Sequence, residues 1–225
     1  PAMNVRVWGG AVGLGSMAIQ IIRAAGANAI AVVSSEDRGK WCLDIGAKAC
    51  INRTQFNCWG PLPSTIDRAA YREYLKEVQQ FGRAIWQITG KGVDPDIVFE
   101  HPGEQTFPVS AYVCRRGGMI VFCAGTTGFN LTFDASYVWK RQKRIQGSHF
   151  ATLMQADAAN HSVMDGRVLP CMSQVFDFDG IPAAHDVMWR NAHPPGNMAL
   201  LVNAPTQGLH NLEETRALAV TARGG

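Results

Sequence analysis

A doubly wound parallel α/β sheet is what this sequence predicts, and three observations carry the prediction. An apolar run at residues 5–8 ends in a glycine cluster and passes straight into a helical pattern, Met17, Ile19, Ile21, Ile22 and Ala25, before Gly26. Short apolar runs then recur along the chain with helical segments between them. Each run is apolar on both faces, as in parallel strands covered by helices on both sides. Strand and helix alternating with right-handed crossovers give a doubly wound fold.

Six strands are expected, at residues 5–8, 29–33, 49–51, 96–100, 119–124 and 144–148. Between the third and fourth lies a long connection, 53–94, which opens as loop at 57–63. A helix follows, starting near Ser64 or Thr65 with Asp67 in its first turn. Tyr74, Val78, Phe81, Ile85 and Ile88 recur at spacings of four and three and make one apolar face. Gly90 and Gly92 stop it. This helix covers the sheet; the loop before it is free to touch a neighbouring domain or subunit.

After His149 the pattern changes. A helix is expected at 155–165, an extended segment broken by Pro170 at 168–178, a helix entered by Pro182 at 181–190, and a last strand at 198–203. Residues 204–225 form a tail with some helical character. The division is into 1–150, a Rossmann-type cofactor domain, and 151–225, a segment completing the fold.

The cluster Gly9-Gly10-Ala11-Val12-Gly13-Leu14-Gly15 carries the chemistry. A strand, a tight glycine turn and a helix N-terminus bring unpaired N–H groups and a partial positive charge to a pyrophosphate. Gly10 and Gly15 match the first and third glycines of the dinucleotide fingerprint, with Val12 at the second. Gly10, Ala11, Val12, Gly13, Leu14 and Gly15 are therefore candidate cofactor contacts. The second strand runs into Ser34 and Ser35, followed by Glu36, Asp37 and Arg38. Small hydroxyls and a nearby arginine suit a 2′-phosphate, where an NAD site places a carboxylate. Ser34, Ser35 and Arg38 thus favour NADP; NAD stays open if Glu36 or Asp37 turns inward, and a serine here also serves as a helix cap.

The 225 residues are 47% hydrophobic, enough for a sizeable core, and 23 are glycine, which suits many βα turns. A net charge of +3, with no basic stripe interleaved with aromatics, argues against nucleic acid. The six cysteines, Cys42, Cys50, Cys58, Cys114, Cys123 and Cys171, form no Cys-x-x-Cys and have no histidine at zinc spacing. They read as buried thiols of a reducing compartment, with no metal. No signal peptide or membrane-crossing run is evident, so a cytoplasmic location is expected. Opening at Pro1 so close to a core strand suggests a piece of a longer polypeptide. Two basic groups, Arg115 with Arg116, and Lys140, Arg141, Lys143 and Arg144, are either a solvated face or phosphate contacts.

Long motifs then carry a resemblance. They include Asp96-Ile97-Val98-Phe99-Glu100-His101-Pro102-Gly103, Cys123-Ala124-Gly125-Thr126-Thr127-Gly128, Gln146-Gly147-Ser148-His149-Phe150 and His193-Pro194-Pro195-Gly196-Asn197-Met198. In these the chain closely resembles the crotonyl-CoA carboxylase/reductase branch of the medium-chain dehydrogenase/reductase superfamily, over its C-terminal half only. The resemblance implies that NADPH gives hydride to the β-carbon of an enoyl-CoA and that the enolate attacks CO2, in a homotetramer without metal. It implies that 151–225 would pack on a substrate domain this chain lacks. His101 and Gly103 would lie near the nicotinamide ribose, Gly103 otherwise being a plain turn. Ala124, Gly125 and Thr126 would line the nicotinamide pocket. His149 would hold CO2 through a hydrogen bond, a preorganised donor aimed at developing charge; the other reading is a buried structural histidine. Two residues depart from the family pattern: Ser136, where an arginine holding the CoA nucleotide is expected, and Val12. Two alternatives remain, an enoyl-thioester reductase without carboxylation and a non-catalytic NADP-binding module.

Overall fold

The structure, a computed structural model, describes residues 2–204. Its centre is a six-stranded parallel sheet of β1 (Asn4–Trp8), β2 (Asn28–Val33), β3 (Ala49–Asn52), β4 (Ile97–Glu100), β5 (Met119–Phe122) and β6 (Arg144–Gly147). The strand order is β3-β2-β1-β4-β5-β6, so the chain reverses direction across the sheet at β1 and β4. That is the doubly wound arrangement, and its ligand crevice lies at the carboxyl ends of those two strands. Val5 pairs with Ala29 on one side and Ile97 on the other, fixing the register of the central three strands.

Two apolar clusters flank the sheet. On one face α1 (Gly13–Ala24) and α2 (Glu36–Asp44) close over Val5, Val7, Ala29, Ala31 and Val33. On the other α3 (Arg68–Thr89) and α4 (Phe107–Val113) close over Trp8, Ile30, Val98 and Ile120. The face expected for α3 is the one buried, through Val78, Phe81 and Ile85, and Gly90 ends the helix at φ 106°. Its start is later than expected. Asp67 stands outside the helix and caps it, its Oδ1 accepting from Ala70 N at 3.0 Å.

Two expectations about the sheet need correction. β6 is an edge strand with three of its four residues exposed, so it is not covered on both faces. β1 is not apolar throughout either, because Arg6 is fully buried. Arg6 Nη2 donates to Ser110 Oγ at 2.6 Å, and Ser110 Oγ donates to Glu100 Oε2. Glu100 Oε1 accepts from Thr106 Oγ1 at 2.7 Å and from Gly103 N at 3.2 Å. The guanidinium lies 4.4 Å over the Trp8 ring. Burial pulls the Arg6 pKa down to about 10 and pushes that of Glu100 up, against the hydrogen bonds that favour the carboxylate.

Beyond α5 (Ala135–Trp139) and α6 (Leu153–Met164), a second parallel sheet pairs β7 (Met172–Phe176) with β8 (Asn197–Leu200), linked by α7 (Ile181–Trp189). β8 thus stops short of residue 203. This sheet is tied to the first by a polar residue of α1. Gln20, buried beside Ile19, donates to Leu169 O at 3.0 Å and accepts from Leu169 N at 2.7 Å. Ile21, expected on the apolar face, is 55% exposed. Cys123 is exposed and Cys50 half-buried, so the expectation of buried cysteines holds only for Cys42, Cys58, Cys114 and Cys171. Among the described residues no helix is long and apolar enough to cross a membrane. The tail expected at 204–225 lies, beyond residue 204, outside the described residues.

Candidate active site

The groove at the carboxyl ends of β1, β2 and β4 is lined by Gly9, Ala11, Val12, Ser34, Arg38 and His101 among others. The glycine turn is shaped by contact as much as by torsion. Gly9 sits at φ 53°, and Gly15 packs α1 so tightly on the turn that a Cβ there would lie 2.1 Å from Gly9 O. Gly10 faces Ala31 and Gly13 faces Asn197, so both pack the turn against its surroundings. Leu14 is 46% exposed. Val12 is the N-cap of α1, in extended conformation and without a side-chain hydrogen bond to the helix. The first-turn N–H groups therefore take no acceptor from their own cap, which suits an incoming phosphate. Val12 also bridges to Gly196, and Gly196 N donates to Ala11 O at 3.1 Å. The segment leading into β8 thus buttresses the glycine turn.

At the end of the groove beside β2 and β3, Ser34 and Arg38 form the lining, joined by Arg53. Ser35 does not; its Oγ accepts from Arg38 N at 3.3 Å and caps α2. Neither acidic neighbour turns into the groove. Glu36 Oε1 accepts from Asn52 Nδ2 at 3.2 Å, and Asp37 pairs with Lys40 at 3.4 Å. Arg53 opens a short 3-10 turn directly after β3. Sequence reasoning passed over it; its only local signal is a basic residue at the carboxyl end of β3, the strand beside β2.

At the other end stand His101, Pro102, Thr126 and Thr127. The His101 ring nitrogen Nε2 lies 3.0 Å from Trp8 O. A carbonyl accepts, so Nε2 carries the proton. Burial holds the His101 pKa below the ordinary range, against this bond. Thr126 N donates to His101 O at 3.3 Å and Thr127 Oγ1 to Pro102 O at 2.7 Å, which fastens the loop after β5 to the end of β4. Gly103 lies behind this wall, at φ 93°, with no room for a Cβ beside Gly128 O. Asn191, at φ 51°, completes the groove from the connection between α7 and β8.

Ala124 and Gly125 line a separate cavity of about 370 Å³ at the ends of β5 and β6, with Cys123, Phe129, Leu131 and His149. His149 is exposed, its ring 3.9 Å from that of Phe150. It is not a buried structural histidine. Ser136 lies in the first turn of α5, which Asp134 caps by accepting from Ser136 N at 2.8 Å.

The elongated groove, with phosphate-ready N–H groups midway and Ser34, Arg38 and Arg53 at one end, fits a phosphorylated dinucleotide. Among the described residues no three of His, Cys, Asp and Glu come together where they could hold a metal ion.

Comparison with known proteins gives the chain a family. Residues 13–164 match the family model of zinc-binding dehydrogenases. The crotonyl-CoA carboxylase/reductase of Cereibacter sphaeroides is 58% identical over 95% of this chain and 50% of its own length. A crotonyl-CoA carboxylase/reductase solved with NADP superposes at TM-score 0.89 and 46% identity, over 92% of this chain and 51% of that one. A 2-octenoyl-CoA carboxylase reductase solved with NADP and 2-octenoyl-CoA superposes at 0.81 and 33% identity, over 100% and 48%. The chain spans about half the length of the relatives it matches. It belongs to the zinc-binding dehydrogenase family and is similar, over nearly its whole length, to half of a crotonyl-CoA carboxylase/reductase.

Proposed function

We propose that this chain is the cofactor-binding part of an NADPH-dependent enoyl-CoA carboxylase/reductase, taking crotonyl-CoA, CO2 and NADPH to ethylmalonyl-CoA and NADP. The observation that carries the reading is the adenosine end of the groove, where Ser34, Arg38 and Arg53 stand and no carboxylate does. Arginine pairs well with phosphate. NADPH, when bound, supplies the hydride. The first turn of α1 would take its pyrophosphate, with Ala11 and Val12 alongside. His101 and Thr126 would flank the nicotinamide ribose, and Gly103 would hold that wall by packing behind it.

The cavity bearing Ala124, Gly125 and His149 would take the reacting acyl end and CO2. An imidazole N–H from His149 would hydrogen-bond an oxygen of CO2, a donor already in place as carboxylate charge develops. Residues 151–225 would complete the fold and meet a substrate domain. A cytoplasmic homotetramer belongs to the same proposal and rests on the resemblance.

The exposed position of His149 leaves a second reading, in which a proton replaces CO2. The product of a His149→Asn variant separates the two. A fall in its carboxylated fraction supports the proposal; an unchanged fraction takes the role from His149.

A further inference from the structure

Cys42 of α2 and Cys50 of β3 stand side by side beneath the glycine turn. Three contacts place them. Cys42 is fully buried, and its Sγ lies 3.1 Å from where a Cβ on Gly10 would stand. The Ala31 Cβ lies 2.7 Å from the same point, and Ala31 pairs with Cys50 across β2 and β3. Cys50 in turn packs on α2 at Gly39, where a Cβ would stand 3.5 Å from its own, and its Sγ donates to Gly39 O at 3.2 Å. Gly39 and Cys42 are one helical turn apart on the same face. The thiols thus meet between helix and strand, and the Cys42 thiol donates to the Cys50 sulfur.

Their exposure differs. β3 is the outer strand of the main sheet, and beside it a cavity of about 270 Å³ is lined by Cys50, Ser35, Glu36 and Gly39 among others. A small molecule from solvent meets Cys50 first. Their acidities differ in the same sense. The hydrogen bond from Cys42 holds the Cys50 pKa below the ordinary thiol value, against burial and Glu36. The Cys42 pKa is pushed up by that bond and by burial. A lowered pKa and access make a thiol reactive, and a second thiol in contact with it can resolve the oxidised product.

We propose that Cys50 is an oxidation site for hydrogen peroxide, with Cys42 as its resolving partner, and that the disulfide between them weakens the dinucleotide groove. The Cys50 thiolate attacks one peroxide oxygen, the O–O bond breaks, and the leaving hydroxide takes up the proton that Cys50 lost, as water. Cys50 is then a sulfenic acid. The Cys42 sulfur attacks it, the S–O bond breaks, and the departing hydroxide takes the Cys42 proton. Two thiols are oxidised, one peroxide is reduced and two waters form. A covalent bond is shorter than the contact it replaces, so closing it draws the Cys42 sulfur from beneath Gly10 towards the sheet edge. Arg38 lies one turn before Cys42 on the same face of α2 and lines the groove. The effect on cofactor binding rests on the reading of that groove as the NADPH site.

The test uses the whole enzyme of which this chain is the proposed part, reduced, exposed to hydrogen peroxide and then blocked with N-ethylmaleimide. Trypsin cuts after Lys40, Lys48 and Arg53, so the two cysteines leave on different peptides, 41–48 and 49–53. Mass spectrometry should find these joined, lighter by two hydrogens than the separate pair. Affinity for NADPH should fall about fivefold or more on oxidation and recover with dithiothreitol. Cys50→Ser and Cys42→Ala should each bind NADPH as the reduced parent does and lose the response to peroxide. Peptides that stay separate, Cys50 driven to sulfinic acid without the link, or a link that leaves NADPH affinity unchanged would each overturn the proposal. So would a response kept by both variants, which would assign it to another cysteine such as the exposed Cys123. If the reduced enzyme binds no NADPH, the reading of the groove fails, and the joined peptides still decide whether the pair oxidises.

Discussion

The His101 imidazole occupies the space that a side chain at residue 9 would need: a Cβ on Gly9 would stand 2.7 Å from His101 Nε2. The same nitrogen bonds Trp8 O, so the ends of β1 and β4 are locked together within the groove.

Gly9→Ala should therefore damage the groove more than the fold. The new methyl meets His101, and the backbone at φ 53° disfavours it as well. We expect NADPH affinity to fall at least tenfold, about 1.4 kcal/mol, with the melting temperature lowered by only a few degrees. Fluorescence titration beside thermal melting measures both; unchanged affinity would mean that the turn does not face the cofactor.

Arg38→Gln and Arg53→Gln should each narrow the preference for NADPH over NADH, through loss of a charge-assisted bond worth about 1.5–3 kcal/mol. Binding of NADH should barely change. Dissociation constants for the two cofactors decide it, and an equal loss for both would place these arginines away from the 2′-phosphate.

The Arg6, Ser110 and Glu100 chain should reveal itself in a double mutant. Glu100→Ala leaves the buried Arg6 charge without compensation, at a cost of about 3–5 kcal/mol. Pairing Arg6→Met with Glu100→Gln removes both charges and should cost less than Glu100→Ala alone. Urea denaturation measures this; a double variant less stable than Glu100→Ala would show that the charges do not compensate one another.

Lys143 predicts a pH dependence. Its pKa is held down to about 8, against 10.5 for an ordinary lysine. Between those values the unfolded chain carries more protons than the folded one, so stability due to this residue rises with pH across the window, by up to about 3 kcal/mol. Below pH 8 both states are protonated and the slope vanishes. Subtracting the unfolding curve of Lys143→Met from that of the parent isolates the effect; a flat difference would contradict it.

The main sheet was legible because its strands are short apolar runs bounded by glycine turns, and because α3 repeats its apolar residues over several turns. What escaped was set by tertiary contact. Arg6 and Glu100 are single charges in apolar runs, and nothing local shows that Ser110 joins them. Gln20 reads as a polar position on α1, yet its amide meets the backbone of Leu169, which is 149 residues away. α2, α4 and α5 have 9, 7 and 5 residues, too few turns for a hydrophobic period to stand out. Within the site, Gly9 to Val12, Ser34 and Arg38 were readable from the turn and strand pattern. Ser35 took the alternative offered by the sequence, a helix cap. Arg53 was hidden because a basic residue after a strand looks like any solvated loop. Ala124, Gly125 and His149 gather in a second cavity rather than in the groove, since the loop after β5 sends Thr126 one way and Ala124 the other.

The most direct test of the central claim is the product formed from crotonyl-CoA and NADPH by the whole enzyme of which this chain is the proposed cofactor-binding part, weighed by mass spectrometry with and without bicarbonate plus carbonic anhydrase. The account predicts a product heavier by one CO2, with NADPH oxidised faster when CO2 is supplied. Reduced but uncarboxylated product under both conditions, or no oxidation of NADPH, would contradict it.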